Sequence, residues 1–253
     1  METSFTQKLQ AANALLTQGN KKQASEIERW VLSLPLNEQE KAVNTLCVSK
    51  PGASLVNRLL TKNTIPAHLI SYKSSVIMQK LIGRRKPLPV YNLAMEQEDA
   101  RKKALTQKTK SAIANITRLQ GDPTAGKSIF NSCMACHAIG DTGQQIAPAL
   151  DGSKDRDLAH LITAIINPDE AVEAVYGLHY AVRKDGSYIE GYLKQSDKNG
   201  LTIAVMGGSQ VFIPRHLLLH DGSIDGRSFM PSSYASLPAQ TIADLAAYIK
   251  TIQ

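Results

Sequence analysis

Long apolar runs are absent from this chain: no stretch approaches the roughly 20 residues that a helix needs to cross a bilayer. The amino terminus, Met1-Glu2-Thr3-Ser4-Phe5-Thr6-Gln7-Lys8, lacks the apolar core of a secretory signal. Aromatic side chains make up only 5% of the residues. That is too few to stack bases, and no nucleic-acid-binding motif accompanies the basic charge, so nucleic acid is not expected as a partner. Cysteine is scarce. There are three, with Cys47 standing far from Cys133 and Cys136, so a structural zinc site finds no second cluster of ligands. With 43% hydrophobic and 20% charged residues among 253, the chain reads as globular and long enough for one large or two ordinary domains.

Charge divides it in two. Residues 1–120 hold 19 Lys/Arg against 8 Asp/Glu, whereas residues 121–253 hold 10 against 14. The asymmetry predicts two domains, 1–120 and 121–253, with different partners. The first is helical throughout. Ser4-x-x-Gln7 reads as a capping box before the stripe Phe5, Leu9, Ala12 and Leu16. Gly19-Asn20 separates a second helix, which carries Ile27, Trp30, Val31 and Leu34 and stops at Pro35. Asn37 with Glu40 opens a third, bearing Val43, Leu46 and Cys47 and closed by Pro51-Gly52. Helical stretches follow at 55–60 and 74–82, then a proline-broken loop at 84–89, then a long helix over 94–119. Short helices joined by tight turns predict a HEAT-like array or an irregular bundle. Cys47, on an apolar stripe, reads as a buried small hydrophobe, and the basic runs 84–86 and 101–103 as solvated faces.

The second half is built around Cys133-Met134-Ala135-Cys136-His137. Cys-x-x-Cys-His is the attachment sequence of a c-type haem. Two thiols at this spacing can each add to one vinyl group of a single porphyrin, and the adjacent imidazole then ligates the iron. A dithiol active site would instead follow a strand in a βαβ unit, and no such pattern is present. Asp122 and Pro123 start the helix leading into the motif, and Ser236-Leu237-Pro238 opens a final helix with Ile242, Leu245, Ala246 and Ile249 on one face. Between them, residues 178–222 alternate with Asp185-Gly186 and Asn199-Gly200 turns, which is the signature of an antiparallel β-meander.

Gly126 and Phe130, paired with Leu245 and Tyr248, resemble the crossed terminal helices of class I c-type cytochromes. Ala147-Pro148-Ala149-Leu150 is similar to that family's Gly-Pro-x-Leu, with alanine replacing glycine. The match implies that the Pro148 carbonyl orients His137 through its Nδ1. Met230-Pro231 resembles the family's distal Met-Pro, which implies Met230 as the sixth ligand opposite His137. The departure is distance, for Met230 lies 93 positions after His137. Without the 45 residues of the meander the spacing would be 48, as in an ordinary small cytochrome, so the meander reads as an insertion in a cytochrome otherwise complete. Together these features resemble a narrower family, the haem-binding domain at the end of large bacterial multidomain proteins, behind HEAT-like helices and a propeller similar to quinone-dependent sugar dehydrogenases.

The expected fold is therefore mainly α, with an N-terminal helical array followed by a class I cytochrome c fold carrying the β insertion. The resemblance implies an electron carrier rather than an enzyme: the haem domain of a larger oxidoreductase, fed by a dehydrogenase domain or subunit and emptied by a downstream acceptor. Haem c is attached outside the cytoplasm, so an exported, periplasmic chain is expected, trimmed or the tail of a longer protein. Met134 and Met206 are weaker candidates than Met230. His179, His216 and His220 bracket the meander and are the rival ligands, while His68 and His160 read as surface or core residues. The functional alternative is a haem-based sensor or enzyme with an open or displaceable distal site.

Overall fold

The computed structural model describes residues 4–83, 86–172 and 176–253. About half of the chain is helical, and among the described residues antiparallel sheet is confined to the second half. The chain divides into two compact units. The first holds residues up to Arg101 together with 181–188 and 216–221, and the second holds 102–180, 189–215 and 222–253.

In the first unit, α1 (Phe5–Thr17) starts with the expected capping box, Ser4 and Gln7 each satisfying the other's backbone N–H. Asn20 caps α2 (Lys21–Ser33), which ends before Pro35. The third helix departs from expectation. α3 (Leu36–Leu46) begins directly after Pro35 without a side-chain cap. Pro51-Gly52 does not close it but sits in the first turn of α4 (Lys50–Thr61), capped by Ser49, where a missing N–H costs nothing. Gly52 is required there, because a Cβ would run into the Leu46 carbonyl. Ser71 caps α5 (Tyr72–Ile82), and α6 (Pro89–Ile116) again uses a proline at its start. Its core is formed by Val31, Val43, Leu46, Cys47, Val56 and Leu59. Arg84 and Arg85, the first two residues of one basic run, lie outside the described residues. In the other run, Arg101 makes a two-pronged contact with the buried Glu98 carboxylate at 2.8 and 2.9 Å, so it is not merely a solvated charge.

In the second unit α7 (Pro123–Phe130), capped by Asp122, crosses α9 (Ala239–Ile249). Gly126 allows the approach, since a Cβ there would strike the Asp244 carbonyl and the Tyr248 Cβ. Phe130 and Tyr248 fill the crossing with ring centroids 5.0 Å apart. α8 (Leu158–Ile166), capped by Asp157, buries Leu161, Ile162 and Ile165 in the same core.

A two-stranded hairpin, β1 (Ala138–Ile139) with β2 (Thr142–Gly143), follows the cysteine motif. The larger sheet has β3 (Gly177–Arg183), β4 (Tyr188–Ser196), β5 (Gly200–Ala204), β6 (Gln210–Pro214) and β7 (Leu218–Ser228) in the order β6-β5-β4-β3-β7. Gly186 turns the first hairpin at φ +83°, with Asp185 accepting from the Ser187 N–H. At the second, the Asp197 carboxylate accepts from the N–H groups of Asn199 and Gly200. The sheet outlasts the expected meander, because β7 continues to Ser228 through Asp-Gly-Ser-Ile-Asp-Gly, a composition that reads as loop.

Candidate functional site

α7 delivers the cysteine motif at its end. After Asn131 the chain tightens into a 3-10 turn, Cys133–Ala135, in which the N–H groups of Cys136 and His137 both donate to the Cys133 carbonyl, at 3.0 and 2.8 Å. The chain then reverses through β1 and β2. The N–H groups of Ile146 and Ala147 return to the Cys136 carbonyl, which brings the Pro148 segment beneath the motif. His137 Nδ1 donates to the Pro148 carbonyl at 2.7 Å. A carbonyl can only accept, so the ring proton is held on Nδ1 and the Nε2 lone pair is left for a ligand. Burial lowers the His137 pKa, Pro148 partly opposes that, and Arg156 adds to it. Both Cys133 and Cys136 are free thiols whose pKa burial raises.

Cys133 and His137 face a mostly apolar cleft, about 970 Å³ with its open mouth included. Cys133, His137 and Pro148 line it on one side. Its walls come from α8 and α9, through Leu161, Ile165, Leu245 and Ile249. Met230 lines the same cleft. Cys136 is not among the lining residues; it packs with Ile146, Ala147 and Tyr192 at the edge of the sheet. The two rival methionines do not line it. Met206 is 57% exposed, and Met134 packs against the helical core beside Gly143. Of the rival histidines, His179 stacks on Tyr180 and His220 Nε2 donates to the Val48 carbonyl. Neither they nor His216 line the cleft, whereas His160 on α8, read as a surface or core residue, does.

Sequence reasoning missed a second group. Tyr192 from β4, Ser228 from β7, Tyr176, Tyr234 and Arg156 also line the cleft. The expected insertion, 178–222, therefore reaches the site through Tyr192, and the part of β7 that runs past it adds Ser228. Tyr234 pairs with Ser132 across 3.0 Å although 102 positions separate them. Nothing local marks these residues. The one legible sign is that Tyr192 falls on an apolar, alternating strand.

Residues 123–199 match the sequence model of the family described as Cytochrome c. The match ends inside the sheet, before Met230 and α9. The chain is 48% identical over 40 residues to "Cytochrome c-554" of Methylosinus trichosporium, covering 15% of this chain and 30% of that one. It is 49% identical over 37 residues to "Cytochrome c2 iso-2" of Rhodospirillum centenum, covering 14% and 31%. The chain thus spans about a third of the length of the curated relatives it matches. A cytochrome c domain at 123–199 implies covalently bound haem c with its iron, and the site fits that group. The Cys133 thiol, an imidazole with Nε2 free and a soft thioether line a mostly apolar space, and the second thiol, Cys136, follows Cys133 in the same tight turn.

Proposed function

We propose that the cytochrome c domain of this chain, completed by the Met230 segment and α9, is a one-electron carrier with haem c held between His137 and Met230. The observation that carries this reading is that Cys133, His137 and Met230 line one apolar cleft while His137 is already oriented by Pro148. Bound there, haem c supplies an Fe(III)/Fe(II) couple. The chain's residues do the rest. Cys133 and Cys136 anchor the ring as thioethers. The Pro148 carbonyl keeps the His137 proton on Nδ1, and burial keeps the ring neutral and ready to donate from Nε2. The Met230 sulfur favours the reduced iron and raises the potential. Leu161, Ile165, Leu245 and Ile249 exclude water, which favours the less charged state of the site.

In this reading the electron comes from a dehydrogenase domain or subunit and passes to a downstream acceptor. The chain is then the haem-bearing part of a larger exported oxidoreductase, with residues 1–120 as a HEAT-like array and 121–253 as the cytochrome. The test is spectroscopic. Wild-type ferric protein should show the weak long-wavelength thioether-to-iron band, and its ferrous form should bind carbon monoxide poorly. Met230→Ala should lose the band, bind carbon monoxide readily and fall in potential. A six-coordinate wild type without the band would shift the assignment to His160, the histidine that shares the cleft. A five-coordinate wild type would replace the carrier by a sensor or enzyme.

A further inference from the structure

We propose that Ser228 and Tyr192, supplied by the inserted sheet, are positioning residues that clamp the Met230 backbone. The inference rests on Met230 as the distal ligand. Ser228 closes β7, and its Oγ accepts from the Met230 N–H at 3.1 Å. Tyr192 lines the same cleft, and the Ser228 hydroxyl lies close enough to its phenol to oppose the burial that raises the phenol's pKa. The Ser228 N–H donates to Asp169 Oδ1 at 2.9 Å, while Asp169 Oδ2 takes Arg227 Nη1 at 3.1 Å. One carboxylate, just beyond α8, thus bridges two consecutive residues of the strand, and Ser228 carries the constraint on to Met230.

Tyr192 anchors the other end. It is 4% exposed and stands edge-on to Phe229, with centroids 5.3 Å apart, and to Tyr176, at 5.9 Å. The ring cannot move without dislodging both neighbours, so its hydroxyl is a fixed point. Tyr192, Ser228 and Met230 all line the cleft. A thioether is a neutral, easily displaced iron ligand, and its hold depends on how little freedom its loop regains when it lets go. Strands β4 and β7 restrict that freedom, which gives the long detour between His137 and Met230 a role. The sheet steadies the ligand it precedes.

The test is competition by imidazole in the ferric holoprotein. Ser228→Ala removes the acceptor of the Met230 N–H and should tighten imidazole binding by about two- to tenfold, the range that one hydrogen bond supports. It should also weaken the thioether band. Ser228→Thr keeps a hydroxyl and should restore the wild-type affinity. Tyr192→Phe keeps the ring, loses the hydroxyl and should shift the affinity in the same direction; it decides the matter if Ser228→Ala does not fold. Unchanged imidazole affinity in folded Ser228→Ala, or in Tyr192→Phe in its place, overturns the clamp while leaving the ligand assignment standing. A wild-type band that is absent, or that survives Met230→Ala, overturns the assignment and the clamp with it.

Discussion

Cys47 has none of its surface exposed and sits in the same core as Val43, Leu46 and Val56, where burial pushes its thiol far above the ordinary range. Cys133 and Cys136 are half-buried beside the cleft. A thiolate is the reactive form, so Cys47 should be inert while the protein is folded. With haem attached, the native protein should present no thiol to an alkylating reagent, and the denatured protein should present one, counted by mass. The haem should stay with the chain through denaturing electrophoresis and be lost from the Cys133→Ala, Cys136→Ala variant. Haem that acid-acetone extracts from wild type would refute the attachment. Among histidines, residue type decided little. All six look alike in composition, yet within the second unit His137 and His160 line the cleft because α7 and α8 carry them there.

The crossing of α7 and α9 shows how two side chains, Phe130 and Tyr248, hold the site without lining it. Phe130 is 2% exposed and its ring meets Tyr248, so Phe130→Ala should cost about 3–5 kcal/mol. Gly126→Ala places a methyl against the Asp244 backbone and should cost about 1–3 kcal/mol through overpacking. Both are measured as the denaturant midpoint followed at the haem absorption. Variants as stable as wild type would show that the crossing contributes little. This crossing was legible in the sequence because Gly126, Phe130, Leu245 and Tyr248, on two clearly marked helices, resemble the crossed terminal helices of class I c-type cytochromes. The starts of α3 and α4 were not. A proline is equally at home just after one helix and in the first turn of the next, and only the path of the chain separates the two.

Across the whole molecule, the two units can be probed separately because Trp30, the single tryptophan, lies in the first, tilted against Phe5. His220 belongs to that unit, with Nε2 donating to the Val48 carbonyl. Burial lowers its pKa below 6.5, partly offset by Val48 and Asp221. The unfolded chain therefore takes up this proton at a higher pH than the folded one. Stability from this histidine is complete above about pH 6.5 and is lost as pH falls through the lowered folded value. Denaturant midpoints read from Trp30 fluorescence should fall on the acid side of that window, and His220→Gln should flatten part of the fall. An identical acid-side slope in the variant would remove His220 as its cause.

The sequence by itself determined what is decided within a few residues: the Ser4–Gln7 box, the Asp122-Pro123 start, the Asp185-Gly186 turn and the tight Cys133-to-His137 spacing. Such interactions close over one or two turns of chain, and the residue types alone select them. Only the tertiary structure decided which methionine and which histidines share a cleft, and that Tyr192, Ser228 and Asp169 meet beside Met230. Those encounters depend on the order β6-β5-β4-β3-β7 and on how α8 and α9 pack. A strand's register turns each side chain toward one face or the other, so composition along 178–222 announces a sheet without saying that it reaches the site.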